Sequence, residues 1–470
     1  MAEAAAEEKR SNSAQIDLTQ GDVRKGFFKF MWPIILGNIF TQIYNMVDSI
    51  VVGQFVGGEA LAAVGACFTL TLMIYAFCIA VGSGATVVIS QKFGAHDKEG
   101  VNLTANTALV LALIVGAILT VVFLILAKPL LLLLHTPANI FDDALTYFII
   151  IIIATIGHLY YQMGSSILRG LGDSVWPLGL LIFCSVFNIF GDIVLVAGFK
   201  MGVAGAAWAT LIAQLISGIA VVIRLCGKKY GITVNSKTLR IDGKTAATML
   251  RIGIPAGLQQ FVMSAGSSVI QRFTNSFGSD VVAAQSAVIK IDGFIMLPMM
   301  AISTASQTFV GQNIGAGKMD RVKEGSRFSI SLTIIISLVL GIFLMIVAPY
   351  AVRLFTSEEA IVYIGTVGLR TLGFFYAFMG LSQTLTGIVR GAGASTMPML
   401  ASLVNICLRI LLAYLFAIKG VININNELYR GLWIAMIICN GINMVIMLIY
   451  YFKGNWRSAS KKIVQNQPQS

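Results

Sequence analysis

Charge is what this chain has least of, and that scarcity decides its solvent. Of 470 residues 11% are Asp, Glu, Lys or Arg and 57% are apolar, against about a quarter charged in ordinary soluble domains. A conventional water-soluble globule is excluded. Cysteine is sparse as well. Cys67, Cys78, Cys184, Cys226, Cys407 and Cys439 sit in or beside apolar stretches without CxxC spacing, so they read as small apolar filler rather than a disulfide framework or a zinc site. The three histidines, His96, His135 and His158, are too scattered for a metal cluster. Neither a P-loop nor an HExxH motif occurs, which argues against an ATP-driven pump and an intramembrane metalloenzyme; no enzyme activity and no cofactor are expected. The first 22 residues are polar and lack a basic start followed by an apolar stretch and cleavage site, so no secretory signal is expected.

What the chain does have is long apolar runs. Runs of about 20 residues, the length that crosses a bilayer, fall near 28–52, 60–90, 104–127, 146–168, 177–198 and 203–224. A second set falls near 250–275, 281–310, 327–349, 362–388, 397–418 and 431–452. Of the 33 lysines and arginines, 24 lie in the termini and even-numbered loops and seven in the odd-numbered loops, with Lys290 and Arg409 inside spans. By the positive-inside rule both termini are cytoplasmic in a multi-pass plasma-membrane protein. The net charge of +12 then faces lipid head groups, and no nucleic acid partner is implied.

Internal repetition at an offset of 221 residues organises the spans. It pairs Gln91 with Gln312, Gly94-Ala95 with Gly315-Ala316, Arg169-Gly170 with Arg390-Gly391, Gly172 with Gly393 and Pro177 with Pro398. Six spans per repeat leave both halves in the same orientation. The expected fold is an all-α integral membrane protein of about twelve transmembrane helices in two homologous six-helix bundles around a central cavity. Its divisions are a polar tail (1–25), the first half (26–225), a basic linker (226–249), the second half (250–453) and a tail (454–470). The QxxGA and RGxG motifs read as helix-ending turns on the cytoplasmic side, with glycine allowing the reversal and arginine capping carbonyls or meeting head groups.

Acids inside spans number three: Asp48, Asp192 and Asp292. Each is a functional hypothesis, because an ionised group in hydrocarbon costs roughly 2.5–3.5 kcal/mol on insertion scales. Asn38, Thr41, Gln42, Asn45 and Asp48 form a polar stripe at i, i+3, i+4, i+7 spacing on the first span. Asn188 and Asp192 share a face of the fifth, and Thr210 and Gln214 a face of the sixth. Interhelical hydrogen bonding is the bland reading of such groups. For the two carboxylates the sharper one is an ion-coupling site. Close together in low dielectric, Asp48 and Asp192 would share a proton or bind a hard cation such as sodium, with the Asn188 carbonyl and Thr210 hydroxyl completing an oxygen shell. Asn38, Gln42, Asn45, Tyr160, Tyr161, Gln162, Gln259, Gln260 and Gln383 are candidate lining for a substrate cavity. Lys290, Asp292 and Arg409 read as structural ion pairing with partners on neighbouring helices.

Four stretches carry a resemblance to a known family: WPIILGNIFTQIYNMVDSIVVGQFVGGEALAAVG (Trp32 to Gly65), LRGLGDSVWP (Leu168 to Pro177), FNIFGDIVLVAGFKMGVAGAAWAT (Phe187 to Thr210) and STASQTFVGQNIGAGKMDRVKEG (Ser303 to Gly325). Over nearly the whole chain after residue 25 the sequence resembles the bacterial branch of the multidrug and toxic compound extrusion (MATE) transporters. The resemblance implies a secondary antiporter that exports amphipathic, often cationic small molecules in exchange for inward H+ or Na+, by rocking of its halves within membrane lipid; a monomer is expected. It also matches Asp48, Asn188, Asp192 and Thr210 to the family's motif residues. The seventh- and tenth-helix acids of some members are missing here, where the chain reads PAGLQQFVMSAGS and FFYAFMGLSQTLTG, so coupling is expected from the first half alone. The alternatives are a lipid-linked precursor flippase of the same superfamily, disfavoured by twelve spans and few internal charges, and a non-transporting receptor.

Overall fold

A computed structural model describes residues 15–55, 58–134, 136–227, 230–234, 238–373, 375–421 and 427–457. The side chains of Asn45 and Asp48, within a helix, lie outside the described residues, as does His135. Hydrocarbon cannot hydrogen-bond a peptide group, so the spanning segments are helical throughout. In chain order they are α1 (Val23–Phe55), α2 (Gly58–Gly94), α3 (Lys98–Leu133), α4 (Phe141–Gly170), α5 (Val175–Asp192), α6 (Gly202–Cys226), α7 (Gly243–Asn275), α8 (Ser279–Gly315), α9 (Met319–Arg353), α10 (Glu359–Gly373), α11 (Tyr376–Gly391), α12 (Thr396–Ala413) and α13 (Arg430–Lys453). Among the described residues, nine helices are long and apolar enough to cross a bilayer. α10 and α11 pass the same test only when taken together, with a bend of 52° between them where the sequence suggested one unbroken helix. α1 and α7, each 33 residues long, fall where the first and seventh of the expected spans lie. Prolines at 33, 129, 255, 298 and 349 lie inside helices instead of bounding them, which membrane helices tolerate because neighbouring groups re-satisfy the freed carbonyls.

The chain forms two compact units: residues up to Gly257 together with Gly311–Gly317, and Leu258–Val310 with Lys318 onward. In the first unit α4 and α6 have half of their apolar windows buried while α3 has 28%, so α3 turns most of its surface to lipid and α4 and α6 are central. A core of Cys67, Leu70, Ile74, Phe123, Leu131, Phe148 and Ile152 joins α2, α3 and α4. Val288, Met299, Leu344, Val352, Leu369, Tyr376 and Trp433 play that part in the second unit.

The duplicated QxxGA motifs have a structural cause that differs from the one expected. Gly94 and Gly315 remain helical, and their small size is used for contact. A Cβ on Gly94 would lie 1.9 Å from the Gln312 carbonyl oxygen, and one on Gly315 would lie 1.9 Å from that of Gln91. The reversals come two residues later, at His96 (φ 56) and Gly317 (φ 71). In the RGxG turns it is the fourth-position glycine that takes the left-handed conformation, Gly172 at φ 86 and Gly393 at φ 91, as expected of a glycine that allows a reversal. The arginines point inward rather than to head groups. Arg169 donates to Ser166 Oγ (3.0 Å) and Arg390 to Gln259 Oε1 (2.7 Å). Beside His96, the Asp97 carboxylate caps α3 by accepting from Gly100 N–H (2.7 Å) and from Lys92 Nζ (2.8 Å). Partial burial works to raise its pKa, but these donors hold it below the usual carboxylate value.

A strap of chain ahead of α1 binds these turns together within the first unit. Ile16 N–H donates to Gly172 O (3.0 Å) and Gln15 Nε2 to Leu171 O (3.0 Å). Leu18 N–H donates to Gln312 Oε1 (3.0 Å), Asn313 Nδ2 donates back to Leu18 O (3.1 Å), and Gln312 Nε2 reaches Gly170 O (2.9 Å). Leu18 is 1% exposed and Gln312 and Asn313 are fully buried. Nearby Asp173 caps α5 by accepting from Val175 and Trp176 N–H, and takes the Tyr230 hydroxyl at 2.6 Å. Burial and then the Asp173 carboxylate push the Tyr230 phenol up, keeping it a donor.

Gln312→Ala strips partners from a buried N–H and a buried carbonyl, each worth about 1–3 kcal/mol when left unsatisfied. It should lower the melting temperature of the detergent-solubilised protein and speed protease cleavage of the strap. Gly94→Val forces a side chain into backbone and should cost roughly 1–3 kcal/mol or more, read as a loss of folded protein in the same melting assay.

Candidate functional site

The first unit gathers a polar cluster from α1, α5 and α6. α5 places Asn188 and Asp192 one turn apart, and after Asp192 the backbone widens into a π turn over Ile193–Gly198, a local irregularity common at functional positions. Asp192 is fully buried, Asn188 is 2% exposed and Thr210 9%. The amide orientation that satisfies both ends of Asn188 has its oxygen accepting from Thr210 N–H (3.0 Å) and its nitrogen donating to Asp192 Oδ2 (3.2 Å) and to the Tyr44 hydroxyl (3.0 Å). Asn188 thus turns donors, not its carbonyl, toward the carboxylate. That differs from the oxygen shell expected of it, because the Thr210 backbone N–H claims the carbonyl.

Three of the four expected coupling residues, Asn188, Asp192 and Thr210, therefore meet. Asp48 belongs to α1, but its side chain lies outside the described residues. Tyr44 joins the cluster without having been singled out; its spacing of four from Asp48 was the available signal. Of the remaining stripe on α1, Asn38 and Gln42 are half-buried, Thr41 bonds to its own helix at Gly37 O (2.9 Å), and the Asn45 side chain lies outside the described residues.

The other proposed cavity residues scatter. Tyr160, Tyr161 and Gln162 are all half-buried, yet three successive helical residues fan over about 200° and do not share one face. In the second unit Gln259 is held on both amide atoms, by Ser402 Oγ (2.8 Å) and Arg390 Nη2 (2.7 Å). Gln260 is exposed, and Gln383 is half-buried with its carbonyl taking the Ser303 hydroxyl (2.7 Å). A cluster the sequence reading passed over joins α2, α4 and α6: the His158 ring stacks on Tyr75 (centroids 4.0 Å apart), and its Nδ1 meets Gln214 Oε1 at 3.3 Å.

Lys290, Asp292 and Arg409 form no ion pair within 4.0 Å among the described residues, which departs from the expected structural salt bridges. Asp292 instead accepts from the Tyr376 hydroxyl. Lys290 Nζ lies 5.4 Å from the Phe355 ring centroid, and Arg409 Nη2 points at Met436 Sδ (3.4 Å). The described residues also hold no group of three or more His, Cys, Asp or Glu suited to a metal ion.

The helices and the repeat agree with the comparisons to known proteins. The MatE sequence profile matches residues 33–194 and 255–415, two segments that fall one in each half. Probable multidrug resistance protein YpnP of Bacillus subtilis (strain 168) is 33% identical over 392 residues, spanning 83% of this chain and 87% of that protein. Probable multidrug resistance protein NorM of Thermotoga maritima is 24% identical over 440 residues, 93% of each. A crystal structure of MATE in the bent conformation superposes with a TM-score of 0.86 at 25% identity, covering 96% of this chain and 99% of that one. A twelve-span helical membrane protein that matches this profile over both of its halves is a member of the MatE family of multidrug efflux transporters.

Proposed function

We propose that this chain is a secondary antiporter of the plasma membrane, with both termini cytoplasmic, that exports amphipathic, cationic small molecules against an inward flow of protons. Coupling runs through the first half, at Asp48 and Asp192 with Asn188, Thr210 and Tyr44. The observation that carries the reading is the fully buried Asp192 with the Asn188 amide nitrogen 3.2 Å from its Oδ2. A carboxylate in hydrocarbon is costly to leave charged, so the site has a reason to take up a cation, and that cation can be exchanged between two access states.

The same geometry favours the proton over sodium. Sodium needs converging oxygens, and here Asn188 presents N–H to the carboxylate while its oxygen is engaged with the Thr210 backbone. A proton needs a single oxygen of Asp192 and no rearrangement of the amide. The Tyr44 hydroxyl, accepting from the same amide nitrogen, orients Asn188.

Two measurements test this. In reconstituted vesicles an imposed pH gradient should drive efflux of a cationic dye and an imposed sodium gradient should not; Asp192→Asn and Asp48→Asn should each reduce pH-driven efflux to the level of protein-free vesicles at unchanged expression. Thr210→Val keeps the backbone N–H that holds Asn188 and loses only the hydroxyl, so efflux should persist near the wild-type rate. Loss of efflux in Thr210→Val, together with drive by sodium, would instead identify a sodium site that uses that hydroxyl.

A further inference from the structure

The QxxGA end of α8 belongs to a different unit from the rest of its helix. α8 runs from Ser279 to Gly315, but its residues up to Val310 pack in the second unit and Gly311–Gly317 in the first. α7 divides in the same way, its residues up to Gly257 in the first unit and those from Leu258 in the second. Inside the first unit both helix ends lie against α2 through bare backbone. A Cβ on Gly84 would come 2.1 Å from the Met249 carbonyl oxygen of α7, and one on Gly94 1.9 Å from that of Gln312. Contacts of this kind are sums of weak dispersion terms and hold no single bond that must break before the helices part.

The strap ahead of α1 adds such bonds to α8. Leu18 spends both of its backbone groups there, donating to Gln312 Oε1 (3.0 Å) and accepting from Asn313 Nδ2 (3.1 Å), and it is 1% exposed. These bonds are buried, so none is lost without leaving a polar group unsatisfied unless the strap reaches water. The strap keeps its shape without α8. Asp17 Oδ1 accepts from the Thr19 N–H (2.9 Å) and hydroxyl (2.7 Å), and its Oδ2 accepts from Gln20 Nε2 (2.8 Å). The strap joins α1 through Gly21, which stands at φ 67 with nothing within 4 Å of an added Cβ. Glycine serves the backbone turn there, not close packing. A segment with its own internal turn, a glycine at its base and side-chain amides as its hold on a distant helix can let go and return as one piece.

We propose that residues 15–19 are a cytoplasmic latch on α8. While Leu18 is bonded to Gln312 and Asn313, the end of α8 stays in the first unit. Access from the cytoplasmic side requires α8 to travel whole with the second unit, and the strap must release both amides before it can. A strap with a purely structural role would stay bonded throughout the cycle. The latch rests on the proposed export by alternating access for its functional meaning, and it is independent of which ion is coupled.

The test is a reversible cross-link in the full-length protein. The exposed Cys226 and Cys407 are replaced by serine, Leu18→Cys and Asn313→Cys are introduced, and a short reducible bis-thiosulfonate reagent joins the pair. Exchange of a cationic dye across vesicles at equal pH and equal salt needs alternating access but no ion gradient. It should fall to the level of protein-free vesicles on cross-linking and return on addition of dithiothreitol, while either single-cysteine variant keeps its exchange after the same treatment. Undiminished exchange by cross-linked protein overturns the latch, as does a pair that the reagent cannot join. A second measurement needs no substitution. In wild-type vesicles the backbone amides of residues 15–20 should lose protection from hydrogen exchange while dye is being turned over; equal protection with and without dye overturns the latch. The two proposals fail separately. Protein that moves no dye under any gradient defeats the export reading, and dye movement that ignores the cross-link defeats the latch alone.

Discussion

Hydrocarbon neither hydrogen-bonds a peptide group nor solvates a charge, and the organisation of this chain follows from the ways it meets that constraint. Backbone groups are satisfied inside helices, and five prolines sit within them where adjoining groups can take over the lost bond. Polar side chains fall back on their own helix, as Thr41 does with Gly37 O, or on a neighbouring helix, as Gln259 does with Ser402. Charges have no such inexpensive answer. Those inside spans are few, and they rest on neutral partners such as the Tyr376 hydroxyl beside Asp292 and the Met436 thioether beside Arg409.

The two halves meet this problem differently on one scaffold. Both build the fifth span of their repeat as a helix that relaxes into a π turn, and both close their second helix on a small residue at the QxxGA motif. In the first half the turn follows a buried carboxylate held by an amide; in the second the equivalent helix carries Arg409, which points at Met436 Sδ. Duplication preserved the packing, because close backbone approach tolerates only glycine at positions 94 and 315.

The strap ahead of α1 shows how much a polar end of the molecule depends on residues distant in sequence. Leu18 is bonded to side chains almost 300 positions away, and both those side chains are wholly buried. Gln312 and Asn313 therefore act as the adhesive between the strap, the RGxG turn and the end of α8, which explains why a glutamine is placed where the motif alone suggested only a turn.

The sequence alone determined the solvent, the twelve spans and the repeat, since apolar runs of bilayer length and a fixed offset are one-dimensional signals. It also determined that Asn188 shares a face with Asp192, a consequence of helical period. Which groups of different helices meet was decided only by the tertiary structure. Tyr44 joined Asn188 through the packing of α1 on α5, although its spacing from Asp48 was visible beforehand. Gln259 proved to be held by Ser402 and Arg390, and the α10–α11 span proved bent. The direction of the Asn188 amide was out of reach of any sequence reading, because it is set by competition between a backbone N–H and a carboxylate that only folding brings within 3.2 Å of the same side chain.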